Sequence, residues 1–286
     1  MLQAAFQLKL PKNRLSSVVF ASPHACATYP TTFVRQSILD EHTIRSSEDA
    51  FVNDLFAPAP EFGAPLLMAG VPRAFIDMNR NQDELDPALI EGAKRHGHNP
   101  RITSGLGVIP RVVANGRAIY RGKIPMNEAQ RRIKNYWHPY HAALQGLLDE
   151  AKADFGHAIL IDCHSMPHEA MDGVARAGSP RPEIVLGDRF GAAASAEIVD
   201  RVESAFVLAG LTVTRNAPFA GAYVTQAYGR PSRRQHAIQV EIDRSIYMDE
   251  RHIVPNKNFA EFQTMLRQII AEIASIDGEC LALAAE

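Results

Sequence analysis

Ala158-Ile-Leu-Ile-Asp-Cys163, followed at once by His164-Ser165, is the run that decides the architecture. Four apolar residues precede an aspartate, and the run is too short for a helix of ordinary length, so it predicts a buried strand. It is followed by a second strand at Glu183–Gly187, an amphipathic helix over Gly191–Gly210, and a third strand at Leu211–Arg215. In that helix Ile198, Val202, Ala205, Phe206 and Ala209 form one stripe, and Gly210 supplies the stop. Ala237–Met248 alternates Ile238, Val240 and Ile242 as a further strand, and Asn258–Ile276 reads as a terminal helix.

Upstream of the central run the same alternation holds. Ser16–Ala21 is a β-rich run feeding Ser22-Pro23-His24, and Pro65–Ala69 and Ala74–Met78 are short apolar runs. Ser46-Ser47-Glu48-Asp49 reads as a helix N-cap with acidic residues in the first turn, ahead of Phe51, Leu55 and Phe56. Glu128–Glu150 is a long helix that Pro139 should break or kink. Residues 96–126 and 216–235 read as long Gly- and Pro-punctuated loops. Strands and helices alternate with no linker, which predicts one α/β domain over residues 1–286. Its sheet should be mostly parallel, with helices on both faces. A folded chain of 286 residues buries about three quarters of its open-chain surface, enough for one large core.

Composition narrows the class. Hydrophobic residues are 46% and charged residues 22%, which excludes a disordered or fibrous chain. Thirty basic residues against thirty-two acidic ones leave a net charge of -2, so no basic excess points to nucleic acid or an anionic membrane. Cys26, Cys163 and Cys280 cannot build a disulfide framework, which suggests a reducing cytoplasm. The N-terminal residues place Lys9, Lys12 and Arg14 late rather than first, unlike a secretory signal. No apolar stretch reaches the roughly 20 residues that span a bilayer.

Ligands of such sheets gather outside the carboxyl ends of the strands. Two strands here end in histidine. Asp162 lies two residues before His164, on the same face of its strand, where it can orient the imidazole. His24 ends another strand 140 residues earlier. Hydrolytic zinc takes about three protein ligands from His and Asp or Glu, so His24 and His164 would supply two and Glu48, Asp49 or Asp54 the third. Glu241 sits within an apolar strand, between Val240 and Ile242; a buried carboxylate must be paired or face a site, which makes it a general-base candidate. Arg73, Asp77, Asn79 and Arg80 surround one apolar run and read either as a solvated edge with one ion pair or as a carboxylate-binding set. Cys163 and His164 point to opposite strand faces and cannot act as a nucleophile pair. Neither a Gly-rich phosphate loop nor a Gly-x-Ser-x-Gly elbow is present.

Seven segments, in order, resemble the N-formylglutamate amidohydrolase family: Ser22-Pro23-His24, Glu48-Asp49 through Phe56, Asp77-Met-Asn79-Arg80, Pro139-Tyr140-His141, Asp162-Cys-His164-Ser-Met-Pro167, Asn216 through Gly221, and Glu241 through Glu250. The likeness runs from about residue 16 to residue 276. It implies a fold and site similar to zinc carboxypeptidases and aspartoacylases. It further implies an amidase dependent on Zn²⁺ or another divalent metal, which removes formate from N-formyl-L-glutamate in one route of histidine degradation. Under the resemblance His24, Asp49 and His164 become the ligands, Glu241 the catalytic carboxylate, and Arg80 with Arg73 and Asn79 the holders of the substrate carboxylates. Two positions depart from the pattern. Ala25-Cys26 stands where the family commonly has Ser-Gly, and Ala27 stands where aspartoacylases carry an acidic ligand, which is why the role passes to Asp49. The alternatives are a deacylase or carboxypeptidase-like hydrolase acting on another N-acyl amino acid, and a binding protein without turnover on the same fold.

Overall fold

The computed structural model describes residues 3–94, 99–174 and 181–276; Cys280 and part of the 96–126 stretch lie outside them. Seven strands form one mixed sheet: β1 (Phe6–Lys9), β2 (Val18–Ser22), β3 (Leu66–Ala69), β4 (Ala158–Met166), β5 (Ile184–Gly187), β6 (Val213–Arg215) and β7 (Gln235–Asp243). Their order is β1-β3-β2-β4-β7-β5-β6. β2 runs parallel to β4, β4 to β7, and β5 to β6, while β5 meets β7 antiparallel. The expected mostly parallel α/β sheet is therefore the observed one.

Every residue of β4 and β7 is buried. Their register pairs Ile161 with Ile238, Cys163 with Val240 and Ser165 with Ile242 on one face. The alternate face pairs Asp162 with Gln239, His164 with Glu241 and Met166 with Asp243. One side of this strand pair is thus core, and the other turns polar toward the carboxyl ends. Burying each Ile, Leu or Val of the core face stabilises the fold by about 1.5–3 kcal/mol.

Chain contacts gather the molecule into two compact units. One comprises Met1–Gln7, Pro23–Ala50 and Met68–Ala143; the other comprises Leu8–Ser22, Phe51–Leu67 and Leu144–Glu286. The first is rich in turns and is organised around Arg132. That side chain is fully buried, donates to the Phe75 carbonyl (3.0 Å) and the Tyr120 hydroxyl (2.7 Å), and lies 4.0 Å from the Phe75 ring centre. Glu128 accepts from its Nε at 2.7 Å. The second unit holds β2 and β4–β7.

Several sequence expectations change. Ser46–Asp49 caps no helix: a four-residue helix, Val52–Leu55, follows Phe51 at a φ of 67°. Glu48 and Asp49 are buried instead of lining a first turn. The long helix does not break at Pro139. Met126–Arg132 passes through a π turn, Ile133–Trp137, into His138–Phe155. The wider turn just ahead of Pro139 accommodates a residue that has no N–H to donate. The helix expected from Gly191 starts at Ala196, because Arg189, Phe190 and Gly191 all have positive φ. Ala74–Met78 joins no strand, and the 216–235 stretch contains the helix Tyr223–Tyr228. The strand expected over Ala237–Met248 ends at Asp243, whose carboxylate accepts the Ser245 N–H (2.9 Å) and starts a short turn.

Candidate active site

β4 delivers His164 at the polar end of the buried strand pair. Asp162, two residues earlier on the same face, holds the imidazole Nε2 at 2.9 Å through Oδ2. Glu241 is the register partner of His164 on β7, so their side chains leave the sheet on one face, side by side. Gln239 occupies the matching place beside Asp162 and donates its amide N–H to Glu241 Oε1 at 2.7 Å.

The chain leaves β2 through Ser22-Pro23 and places His24 in the first unit. His24 Nε2 lies 2.7 Å from Asp77 Oδ1, and its Nδ1 lies 3.5 Å from Asp49 Oδ2. The Asp49 N–H donates to the His24 carbonyl at 3.2 Å, which ties the two segments together at backbone level. Asp77 also accepts from Arg73 Nε at 3.2 Å and from the Asn79 backbone N–H at 2.8 Å, and Arg80 Nε lies 3.9 Å away. Burial opposes ionisation of Asp77 more than any other single influence. The joint attraction of His24, Arg80 and Arg73 outweighs it and holds the carboxyl well below the usual carboxylate range. Arg80 is itself buried, donates to the Leu106 and Asn79 carbonyls, and is pushed below the ordinary guanidinium value chiefly by that burial.

The other acidic candidates differ in placement. Glu48 is engaged by Arg45 through both carboxylate oxygens (3.0 and 2.9 Å), and Asp54 is exposed. His141 is buried against Trp137, their ring centres 3.9 Å apart, and its Nε2–H donates to the Met78 carbonyl at 3.0 Å. Burial pushes its pKa down to about 3.

The ligand atoms of His24, Asp49 and His164, all buried, lie within 4.8 Å of one another. This donor set suits a divalent metal of zinc type. It offers two imidazoles and a carboxylate, and each imidazole is held through Nε2 by a second carboxylate, Asp77 or Asp162. Two ligands of a tetrahedral zinc ion stand about 3.4 Å apart, close to the 3.5 Å between His24 Nδ1 and Asp49 Oδ2. Two contacts of these groups are not read from the sequence, those of Asp77 with His24 and of Gln239 with Glu241. Asp77 looked like part of a surface ion pair, and nothing in its neighbourhood points to His24, 53 residues away. Gln239 did carry a signal: it stands two residues before Glu241, as Asp162 stands before His164.

A family model described as N-formylglutamate amidohydrolase matches residues 16–248. A protein of Pseudomonas aeruginosa named N-formylglutamate deformylase is 30% identical over 263 residues, covering 90% of each chain. One of Pseudomonas putida with the same name is 30% identical over 250 residues, covering 85% of each. The crystal structure of N-formylglutamate amidohydrolase from Ralstonia eutropha JMP134 is 35% identical, with a TM-score of 0.87, and the likeness covers 94% of this chain and 96% of that one. Among the described residues, no helix is long and apolar enough to cross a membrane.

Proposed function

The chain belongs to the N-formylglutamate amidohydrolase family, and from that membership we propose that it hydrolyses N-formyl-L-glutamate to formate and L-glutamate. The observation that carries the metal-dependent form of this reading is the buried convergence of His24, Asp49 and His164. These three would hold the metal, with Zn²⁺ the ion that best suits their donors. When bound, such an ion supplies Lewis acidity toward the amide carbonyl and makes water a stronger acid.

The chain's own residues do the rest. Asp77 and Asp162 fix the two imidazoles, so the donors need little reorganisation. Glu241, beside His164 on the sheet face, takes a proton from the attacking water and passes it to the leaving amide nitrogen. The C–N bond breaks as the new C–O bond is retained, giving formate and the ammonium form of glutamate. Arg73, Asn79 and Arg80, gathered by Asp77, offer cationic and amide groups suited to the two substrate carboxylates. Without such anchoring a one-carbon acyl group gives an enzyme little to grip. We place the enzyme in the cytoplasm, at the formate-releasing step of histidine degradation.

The test is metal analysis joined to a hydrolysis panel of formyl-, acetyl- and succinyl-glutamate and -aspartate, with and without added divalent metal. Metal-dependent release of formate from N-formyl-L-glutamate, with the highest kcat/KM of the panel, supports the reading. Preference for a larger acyl group moves the chain to another deacylase activity, and no turnover with metal bound leaves a binding protein.

A further inference from the structure

One spacing occurs twice on the central strands, in register. On β4, Asp162 precedes His164 by two residues and holds it; on β7, Gln239 precedes Glu241 by two residues and holds it. Asp162 pairs with Gln239 and His164 with Glu241, so two rows lie across the sheet. One row carries the chemistry, and the row behind it carries the groups that orient it. In β5 the Gln239 row continues to Gly187, and the Glu241 row to Val185.

The amide of Gln239 has a determined orientation. The Ala222 backbone N–H points at its Oε1 at 3.0 Å, and a backbone N–H can only donate. The NH₂ therefore faces Glu241 Oε1, at 2.7 Å. Turning the amide over would set donor against donor and oxygen against carboxylate. The side chain is buried, with 4% of its surface exposed, so neither contact is readily replaced by water.

The partner on the other side is the 219–222 segment, which crosses the sheet at this row. A Cβ at Gly187 would sit 2.6 Å from the Gly221 nitrogen and 2.8 Å from the Ala220 carbonyl carbon, so glycine there admits the segment. The Arg189 N–H donates to the Ala220 carbonyl at 2.8 Å, and Phe219 packs on the cluster of Met166, Met171 and Val185. Gln239 thus joins an anchored backbone segment to the carboxylate of Glu241.

We propose that Gln239 is a positioning residue for the amide-hydrolysis reaction: it sets the orientation of the Glu241 carboxylate and couples it to the 219–222 segment. This rests on Glu241 being the base. Gln239→Met keeps length and packing but removes donor and acceptor; Gln239→Glu keeps the acceptor for Ala222 and replaces the neutral amide donor by a second carboxyl group, which repels the Glu241 carboxylate or shares its proton. Each metal-loaded variant is assayed for kcat, KM, metal content and melting temperature, and amide hydrogen exchange at Ala222 is followed by NMR. In both variants kcat should fall about 10–100-fold, as misplacement of a catalytic group does, while KM, metal content and melting temperature stay near wild type. Exchange at Ala222 should quicken about tenfold or more in Gln239→Met and stay slow in Gln239→Glu. Folded, metal-loaded Gln239→Met with kcat within about twofold of wild type overturns the proposal. So does a parallel fall of kcat, metal content and melting temperature, which would mark a merely structural side chain. Wild-type turnover by Glu241→Gln removes the base itself, and the proposal then falls for that separate reason.

Discussion

The β4–β7 strand pair and the 73–80 segment both hold catalytic candidates, and they hold them by different physics. On the strands the backbone ladder decides direction: a two-residue spacing keeps Asp162 with His164 and Gln239 with Glu241 on one face, and register sets the pairs side by side. In the 73–80 segment no ladder exists. One buried carboxylate, Asp77, gathers His24, Arg73, the Asn79 N–H and, at 3.9 Å, Arg80. A strand substitution should therefore remove one function at a time, whereas a change at Asp77 should disturb several together.

The largest effect is expected on the strand side. Glu241→Gln preserves shape and should lower kcat about 10²–10⁴-fold while metal content, measured by atomic emission, stays near wild type. A variant that arrives without metal would recast Glu241 as a ligand. Full activity would transfer the base role elsewhere, though His141 is a poor heir, because burial pushes its pKa down to about 3.

Next comes the third ligand. Asp49→Ala should weaken metal binding more than Glu48→Ala or Asp54→Ala, since Glu48 is engaged by Arg45 and Asp54 faces solvent. A competition titration against a chelator reads this directly, and equal losses from Glu48→Ala would shift the ligand by one residue.

Asp77→Asn against Asp162→Asn tests the comparison most sharply. Each removes a carboxylate that holds an imidazole, so each should cost about 10–100-fold in metal affinity. Only Asp77→Asn should also raise KM several-fold at saturating metal, because Arg73 and Arg80 lose their shared partner. An equal KM change in both would mean that the arginines are positioned independently of Asp77.

The smallest effect concerns stability in acid. His236, near the start of β7, accepts the Ser195 N–H at 3.1 Å, and burial is the main cause that pushes its pKa down to about 4. Its folded pKa is lowered, so the unfolded chain binds more protons between about pH 6.5 and 4. Stability must then fall as pH drops through that window, by at most about 2 kcal/mol at pH 5. His236→Asn, which retains an acceptor for Ser195, should flatten that part of the urea-midpoint profile. An unchanged profile would assign the acid loss to other groups, of which His141 is the first to examine.

Much of the strand region was legible in residue order. The apolar runs predicted β2 and β4–β7, and period-two spacing placed Asp162 behind His164, because a strand's geometry depends on near neighbours alone. Ser46–Asp49 misled for a related reason. Its residue types satisfy a cap rule, but Glu48 has a nearer cation in Arg45 and Asp49 a backbone partner in His24, and both bury their carboxylates. Pro139 likewise signalled a break that a π turn absorbed.

Residue order by itself determined the alternating α/β plan, the placing of His24 and His164 near strand ends (the one two residues beyond β2, the other two residues inside β4), and a carboxylate at Glu241 that had to be paired or face a site. Which carboxylates hold which imidazoles, which acid joins the two histidines, and that Gln239 turns its NH₂ toward Glu241 were decided by tertiary structure alone. The reason is physical. Strand and helix signals are written in contacts a few residues apart, whereas His24 meets Asp77 across 53 residues of irregular chain, where no periodicity records the meeting.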